Sequence, residues 1–254
     1  MTQAAYIPSG GLTGKIKRQA ARRLARAPLS IPSGTRIVSF TFDDFPKSAV
    51  EQGASALEYH GWRGTWYAAM GFAGGSNHHG PLFDAGDINR LADAGHEIAC
   101  HTHSHGDGAS APLTVTLDDV RRNTEALEGL GVQIDNFAYP YGEATPALKA
   151  ALAKRYQSMR GVQPGINQDR ADRRLLKAVG IDGGDSGVAT ARRYLEGLQQ
   201  DGGWLIYYIH DVQETPTEWG CTPEQLEDVL EAVKQSGADV RTIRDAMTAF
   251  TATS

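Results

Sequence analysis

An α/β architecture, with a parallel sheet covered by helices, follows from three observations on this sequence. Strand-like and helix-like segments alternate from Arg36 to the carboxyl end. The strand-like segments are near-continuous apolar runs, as strands buried on both faces require, and Trp204–Ile209 is the clearest. The residues able to do chemistry come directly after such runs, and α/β folds place their chemistry at the carboxyl ends of strands. Seven or eight strand–helix units in about 220 residues suit a barrel better than an open sheet, although periodicity alone does not separate the two.

The elements read as follows. Residues 1–13 contain Gly, Ser and Pro and are expected to be mobile. Lys15–Arg26 reads as a short helix with a thin apolar stripe of Ile16, Ala20 and Leu24, ended by Pro28 and Pro32. Arg36–Phe42 is a strand, and Ser48–His60 a helix closed by Gly61. Thr65–Ala69 is a strand, Asp87–Ala94 a helix closed by Gly95, and Glu97–Cys100 a strand. Thr116 with Asp119 three residues on suggests a capped start for the helix Leu117–Gly129. Asn136–Tyr139 is a strand, and Thr145-Pro146 opens a helix with proline at its first position. Tyr156–Arg160 and Leu175–Ile181 are strands flanking a polar loop. Val188–Gln200 is helical, Trp204–Ile209 is a strand, and Thr222-Pro223-Glu224-Gln225 is a capping box for a helix ending near Gly237. Val240–Ile243 and Arg244–Phe250 complete the series. The sequence divides into a basic extension, 1–34, and a body, 35–254.

Composition excludes several classes. With 254 residues, 41% of them apolar, the chain can bury a full core. No apolar run approaches the ~20 residues that span a bilayer. The first ten residues lack the apolar core of a secretory signal, so with Met1 as the native start the protein is expected to stay in the cytoplasm. Cys100 and Cys221 are then expected to be reduced thiols. Residues 1–30 carry six basic residues (Lys15, Lys17, Arg18, Arg22, Arg23, Arg26) and no acid, so an overall charge of −5 leaves −11 on the rest. An acidic body without an aromatic–basic face argues against nucleic acid.

Four segments carry the chemistry. Thr41-Phe42-Asp43-Asp44 follows the apolar run Ile37–Phe40, and the adjacent aspartates cannot point the same way from an extended backbone. One is expected to bind a metal and the other to face substrate. His101 and His105 follow Glu97–Cys100, four residues apart as on one side of a helical turn, with His103 pointing away. One aspartate and two histidines make a three-ligand site for a divalent metal, with positions left for water and substrate. In Phe137-Ala138-Tyr139-Pro140-Tyr141-Gly142, the aromatic rings suit the wall of a sugar groove. A turn through Pro140 and Gly142 would aim the Tyr141 N–H at a developing oxyanion. In Ile206–Asp211, His210 ends a late apolar strand, a position suited to a general acid. The loop Gly74–Gly80, with His78 and His79, reads as a substrate rim or solvent loop. Trp219 reads either as a stacking surface for a sugar or as core.

In this order the four segments resemble the polysaccharide deacetylase family, the NodB-homology domain, over about residues 35–245. The T-F-D-D plus H-[ST]-x-x-H combination is specific where either alone is not. The resemblance implies a distorted (β/α) barrel and removal of N-acetyl groups from amino sugars with a divalent metal, commonly Zn2+. It implies Asp43 as base, Asp44, His101 and His105 as metal ligands, His210 as acid, and the Tyr141 N–H in the oxyanion hole. The chain departs from the family pattern in three places. Phe45 stands where many relatives have glycine and would reshape or narrow the site. Ala138 stands where many have the arginine that orients the base, a guanidinium that Arg160 would supply instead. The aspartate that supports the acid histidine is not recognisable, with Asp182 and Asp185 as stand-ins.

A leaderless member points to an N-acetylated saccharide made inside the cell, including repeat units carried on a lipid diphosphate, as in leaderless holdfast-type deacetylases. The basic segment Lys15–Arg26 then has three candidate partners: an anionic inner membrane face, the body's own acidic surface, or a second copy in a homodimer. Two other functions stay open: an amidohydrolase of the same fold acting on a small cyclic amide, ureide or formamido sugar, and a non-catalytic saccharide-binding module.

Overall fold

The computed structural model describes residues 11–252. In chain order these form α1 (Gly11–Arg23), β1 (Pro28–Ile31), β2 (Arg36–Asp43), α2 (Ser55–Tyr59, continuing a wider helical turn over Ala49–Ala54), β3 (Thr65–Ala68), β4 (Ser76–Asn77), β5 (Gly80–Pro81), α3 (Ala85–Asp93), β6 (Glu97–Cys100) and α4 (Leu113–Glu128). There follow β7 (Asn136–Ala138), α5 (Pro146–Leu152), β8 (Ser158–Arg160), β9 (Asp169–Asp172), β10 (Val179–Gly180), α6 (Asp185–Asp201), β11 (Gly203–Ile209), α7 (Pro223–Ser236), β12 (Asp239–Val240) and α8 (Ile243–Thr251).

Seven parallel strands run in the order β10-β11-β2-β3-β6-β7-β8. β11 lies along the whole of β2, from Gly203↔Arg36 to Ile209↔Phe42. The other edge of β2 is shared, with β12 beside Ile37 and Val38 and β3 beside Thr41–Asp43. A parallel bridge between Arg160 and Leu176 joins β8 to the segment that enters β10, and β10 pairs with β11. Pairing therefore runs round a barrel, distorted where this short segment makes the join, as the sequence predicts.

The two-residue period of the strands sorts their side chains into two layers. Val38, Phe40 and Phe42 on β2, Ile98 and Cys100 on β6, and Leu205, Tyr207 and Ile209 on β11 pack outward under the helices. Ile37, Tyr67, Ala99, Ala138, Trp204 and Ile206 fill the interior. Asp43, Arg160 and His210 continue the inward set at the carboxyl ends of their strands, so the alternation itself aims them at one mouth.

The opposite end is closed. β1 pairs antiparallel with β9, Pro28↔Asp172 to Ile31↔Asp169, and Leu29 and Ile31 pack with Phe250 and Met247 of α8. Above this floor lies a buried polar layer. Glu97 accepts from Thr65 Oγ1 (2.8 Å), from Asn136 Nδ2 (2.6 Å) and from the Arg244 N–H (2.8 Å), which ties α8 to the barrel.

Several elements differ from the sequence reading, each for a physical reason. The apolar stripe on α1 does not face inward: Ile16 and Leu24 are 60% and 56% exposed. The small residues Gly14 and Ala21 are buried instead, which lets the helix lie close to its neighbours. The buried Lys149 ammonium donates to the carbonyls of Ala21 (2.7 Å) and Leu24 (3.0 Å) at the end of α1 and pairs with Asp172 (2.7 Å). Arg18 pairs with Glu143 at 3.0 Å. Of the segment expected to be mobile, residues 11–13 begin α1 and 1–10 lie outside the described residues. The N-cap of α4 is Pro112, four residues before the expected cap at Thr116, so Thr116 and Asp119 lie inside the helix. The capping boxes at Thr222 and the cap at Thr145 form as read. Both cysteines are buried free thiols.

Candidate metal centre and active site

Asp43 ends β2, and Asp44 turns the chain away with φ of 45°. Both carboxylates are buried. Phe45, the residue without the expected glycine, does not enter the site. It points into the core, stacked 4.4 Å from Phe83 and edge-on to Trp66 at 5.0 Å. His101 and His105 lie on an irregular loop after β6, not on a helical turn, with Thr102 and His105 at φ of 61° and 52°. That loop is held by Asp119, which accepts from the N–H groups of His103 and Ser104 at 3.0 Å each. This is what Asp119 does in place of capping α4.

The His101 Nδ1–H donates to the Ala138 carbonyl at 2.9 Å, which leaves Nε2 as a bare lone pair for the mouth. His105 Nε2 lies 2.9 Å from Asp44 Oδ2. The donor atoms of Asp44, His101 and His105 all fall within 4.8 Å of one another. Asp44 Oδ1 is buried without a hydrogen-bond partner. A buried, orphaned carboxylate oxygen is costly unless a cation completes it, and the Asp-His-His donor set fits a divalent metal with three protein ligands. Burial opposes ionisation of Asp44, but His105 and His101 hold its carboxyl well below the usual range. Burial pushes His101 down, towards the neutral imidazole that a metal needs.

Asp43 meets Arg160, the fully buried last residue of β8, whose Nη2 donates to both carboxylate oxygens. The guanidinium carbon also lies 4.9 Å from the Tyr67 ring centre and 5.6 Å from that of Tyr208. Burial works against ionisation of Asp43, yet Arg160, then His101 and His210, hold it below the ordinary carboxylate value.

The turn after β7 places Tyr141 at φ 58° between Pro140 and Gly142. Gly142 is required there: its φ is 68°, and a Cβ would lie 2.4 Å from Val162 Cγ2. The Tyr141 ring sits 4.5 Å from that of His105, and burial, then Asp44, push its hydroxyl up to about 12. Tyr139 does not wall a groove. It is 1% exposed, packs on Phe137 and donates its hydroxyl to the Arg174 carbonyl. Pro140 is buried beside it.

His210 lies across the mouth, its Nδ1 3.3 Å from the Trp219 carbonyl. Burial lowers its pKa to about 4. Trp219 is 43% exposed beside it, so it belongs to the rim and not the core. Neither expected carboxylate reaches His210. Asp182 bonds to Tyr208, and Asp185 accepts from Gln225 at 3.1 Å. The neighbour of the His210 ring is His79, from the loop read as a substrate rim or solvent loop. It is 4% exposed, bonded to Asp211 at 2.9 Å, with its ring stacked on His210. A second group of possible ligands, His60, Glu227 and Glu231, lies on the outer helices, away from this mouth.

The arrangement is thus of a definite class: a parallel barrel with an Asp-His-His donor set and an arginine-held aspartate at its carboxyl-terminal mouth. Residues 30–158 match the family model described as polysaccharide deacetylase, and the chain belongs to that family, the NodB-homology deacetylases. Solved structures share the fold. The chitin deacetylase of the fungal pathogen Colletotrichum lindemuthianum is 16% identical, with a TM-score of 0.63 over 86% of this chain and 92% of that one. The peptidoglycan N-acetylglucosamine deacetylase Bc1960 is 19% identical, with a TM-score of 0.61 over 90% and 95%. The CE4 family pseudoenzyme BA3943 from Bacillus anthracis is 14% identical, with a TM-score of 0.59 over 87% and 69%. A search of curated protein sequences gives no match.

Proposed function

We propose that the protein is a divalent-metal-dependent hydrolase that removes N-acetyl groups from the amino sugars of a polysaccharide or its lipid-linked precursor. The observation that carries this reading is the convergence of three ligand-type side chains, an arginine-held aspartate and a histidine on one mouth. Two imidazoles and a carboxylate are a donor set typical of catalytic zinc, so Zn2+ is the cation proposed for Asp44, His101 and His105. Such a cation supplies Lewis-acid polarisation of the acetyl carbonyl and makes water a nucleophile near neutral pH.

The chain's own residues supply the rest. Asp43 is ionised and fixed by Arg160, so it is ready to take the water proton. The backbone N–H of Tyr141 lies on the sharp turn beside His105 and is the proposed donor to the developing oxyanion. His210 gives the amine leaving group its proton. In the resting protein its Nδ1–H points at the Trp219 carbonyl, so Nε2 is the atom that accepts and returns a proton. The proton that Asp43 takes from water passes to His210 Nε2 and from there to the departing amine, so the step balances and both side chains return to their starting state. Trp219 on the rim offers a flat face to a sugar ring.

For the substrate's setting, the exposed face of α1 and its continuation is the relevant surface. Lys15, Lys17, Arg22, Arg23 and Arg26 are exposed there with Ile16 and Leu24. Basic residues flanking apolar ones suit an anionic membrane, each cation contributing about 1 kcal/mol close to the surface. This surface supports the proposal that the enzyme works against an anionic membrane face that carries lipid-linked saccharides. Acetate release from N-acetylglucosamine oligomers and from lipid-linked N-acetylated saccharides, by metal-loaded and chelated protein, tests the reaction and the substrate together. Release from neither, with metal bound, favours a non-catalytic reading, as for the pseudoenzyme relative.

A further inference from the structure

The reading above leaves His210 without a carboxylate partner among the described residues, its one hydrogen bond going to the Trp219 carbonyl. An acid histidine must be held within about half an ångström and some tens of degrees of its working position to be useful. The group that does touch its ring comes from far away in sequence. β4 and β5 form a short hairpin, Ser76↔Pro81 and Asn77↔Gly80, whose tip is His78-His79. Asn77 Oδ1 accepts from the His79 N–H at 2.8 Å and turns the tip inward.

His79 is clamped there. Its Nδ1 lies 2.9 Å from Asp211 Oδ1, and a carboxylate can only accept, so Nδ1 carries the proton. Asp211 is fully buried and also accepts from Thr217 Oγ1 (2.6 Å), the Thr217 N–H (2.8 Å) and Gln213 Nε2 (2.8 Å). Gly220 makes room for it, because a Cβ there would lie 2.5 Å from Asp211 Oδ1. Burial opposes the charge on Asp211, but His79 and then Thr217 hold its carboxyl well below the usual range. The held His79 ring lies 5.2 Å from the His210 ring, with only 12° between their planes.

We infer that His79, fixed by Asp211, is the positioning residue for the acid histidine: it sets the plane of the His210 ring. This rests on His210 being the acid of the proposed reaction. Asp211 directly follows His210 in sequence, so the strand end that delivers the acid also delivers the anchor of its support. The other groups that face His210 are accounted for. Tyr208 is edge-on from β11 at 6.2 Å, Asp43 and Asp44 attract its proton from β2, and His79 and, less strongly, His101 from the loop after β6 repel it. Among the described residues, only His79 offers His210 a parallel ring at contact distance.

The test compares wild-type, His79→Leu and Asp211→Asn proteins, each loaded with zinc, on two substrates. An N-acetylated oligosaccharide has a poor leaving group that needs the acid, whereas 4-nitrophenyl acetate has a good one that does not. The expected result is a loss of roughly 10²-fold in kcat on the saccharide. KM and bound zinc should be unchanged, the high-pH limb of the kcat profile shifted, and 4-nitrophenyl acetate hydrolysis kept within about threefold, well short of a general-acid effect. Equal losses on both substrates, or none on either, overturn the proposal. If His79→Leu does not fold, His79→Gln keeps a donor for Asp211 without the ring and is read in the same way. If wild-type protein cleaves no saccharide, the proposed function fails separately. The stack is then read from the ring-current shift of the His210 Cε1–H resonance, which must change in His79→Leu; an unchanged resonance overturns the inference by itself.

Discussion

Arg160 Nη2 donates to both carboxylate oxygens of Asp43, although the two residues stand 117 positions apart and come from strands on different parts of the barrel. The guanidinium is wholly buried, so its charge and that of Asp43 are each compensated mainly by the other. Removing one partner leaves an uncompensated buried charge, which typically costs 3–5 kcal/mol. Arg160→Met should therefore lower stability by about that amount in denaturant titrations. In whatever fraction remains folded, it should cut the rate of acetate release by roughly 10²-fold, the contribution of a positioned base.

Asp119 touches neither the mouth nor any ligand atom, yet it ties down the His101–His105 loop through the N–H groups of His103 and Ser104. Groups that orient metal ligands are worth about 10–100-fold in affinity. Asp119→Ala should weaken zinc binding by that factor in a competition titration with a chromophoric chelator, while the thermal midpoint of the metal-free protein changes little.

The floor of the barrel makes a prediction independent of catalysis. The Lys149 ammonium caps the end of α1 and pairs with Asp172 in a buried setting. Lys149→Met should cost about 3–5 kcal/mol, because Asp172 stays buried without its nearest cation. Hydrogen exchange should show α1 losing protection first. Protection retained in α1 would mean that its other contacts suffice.

Asp182 gives a pH signature of definite sign. Burial raises its pKa to about 6, with the bond to Tyr208 acting the other way. A raised carboxyl value means that ionisation works against the folded state. The associated stability is full below the ordinary value of 3.8 and is lost as pH rises through about 6. Asp182→Asn should therefore raise the melting temperature relative to wild type at pH 8 and leave it nearly unchanged at pH 4. Equal shifts at both pH values would show that charge is not the cause.

Much of this was legible in the sequence, and the rest was hidden for physical reasons. The strands Arg36–Phe42, Glu97–Cys100 and Trp204–Ile209 stood out because both faces are buried, which leaves unbroken apolar runs. The convergence of Asp43-Asp44, His101 and His105 could be read because each follows such a run, whereas the choice of Asp44 over Asp43 as a proposed ligand came from the family resemblance. Arg160 was nameable only as a guanidinium in need of a place, since its partner lies across the barrel. β1 and β9 went unread because Pro28–Ile31 and Asp169–Asp172 bury one face of a short ribbon and carry little pattern. The Thr116–Asp119 spacing imitated a capping box, but Pro112 had already opened the helix. His79 was missed because its burial depends on Asp211, 132 residues away, and nothing local distinguishes it from its exposed-looking neighbour His78. A signal did exist: the aspartate directly after His210 needed a partner, and the histidines of the Gly-rich loop had none assigned.

The central claim is that Asp43 activates water against an N-acetyl carbonyl beside a cation held by Asp44, His101 and His105. Its most direct measurement is mass analysis of the acetate released from an N-acetylated saccharide in 18O-water by zinc-loaded protein, with Asp43→Ala and chelated protein alongside. The account predicts one 18O per acetate, an equal amount of free amine on the sugar, and neither product from the two controls. Unlabelled acetate, or release that persists without Asp43 or without metal, would contradict it.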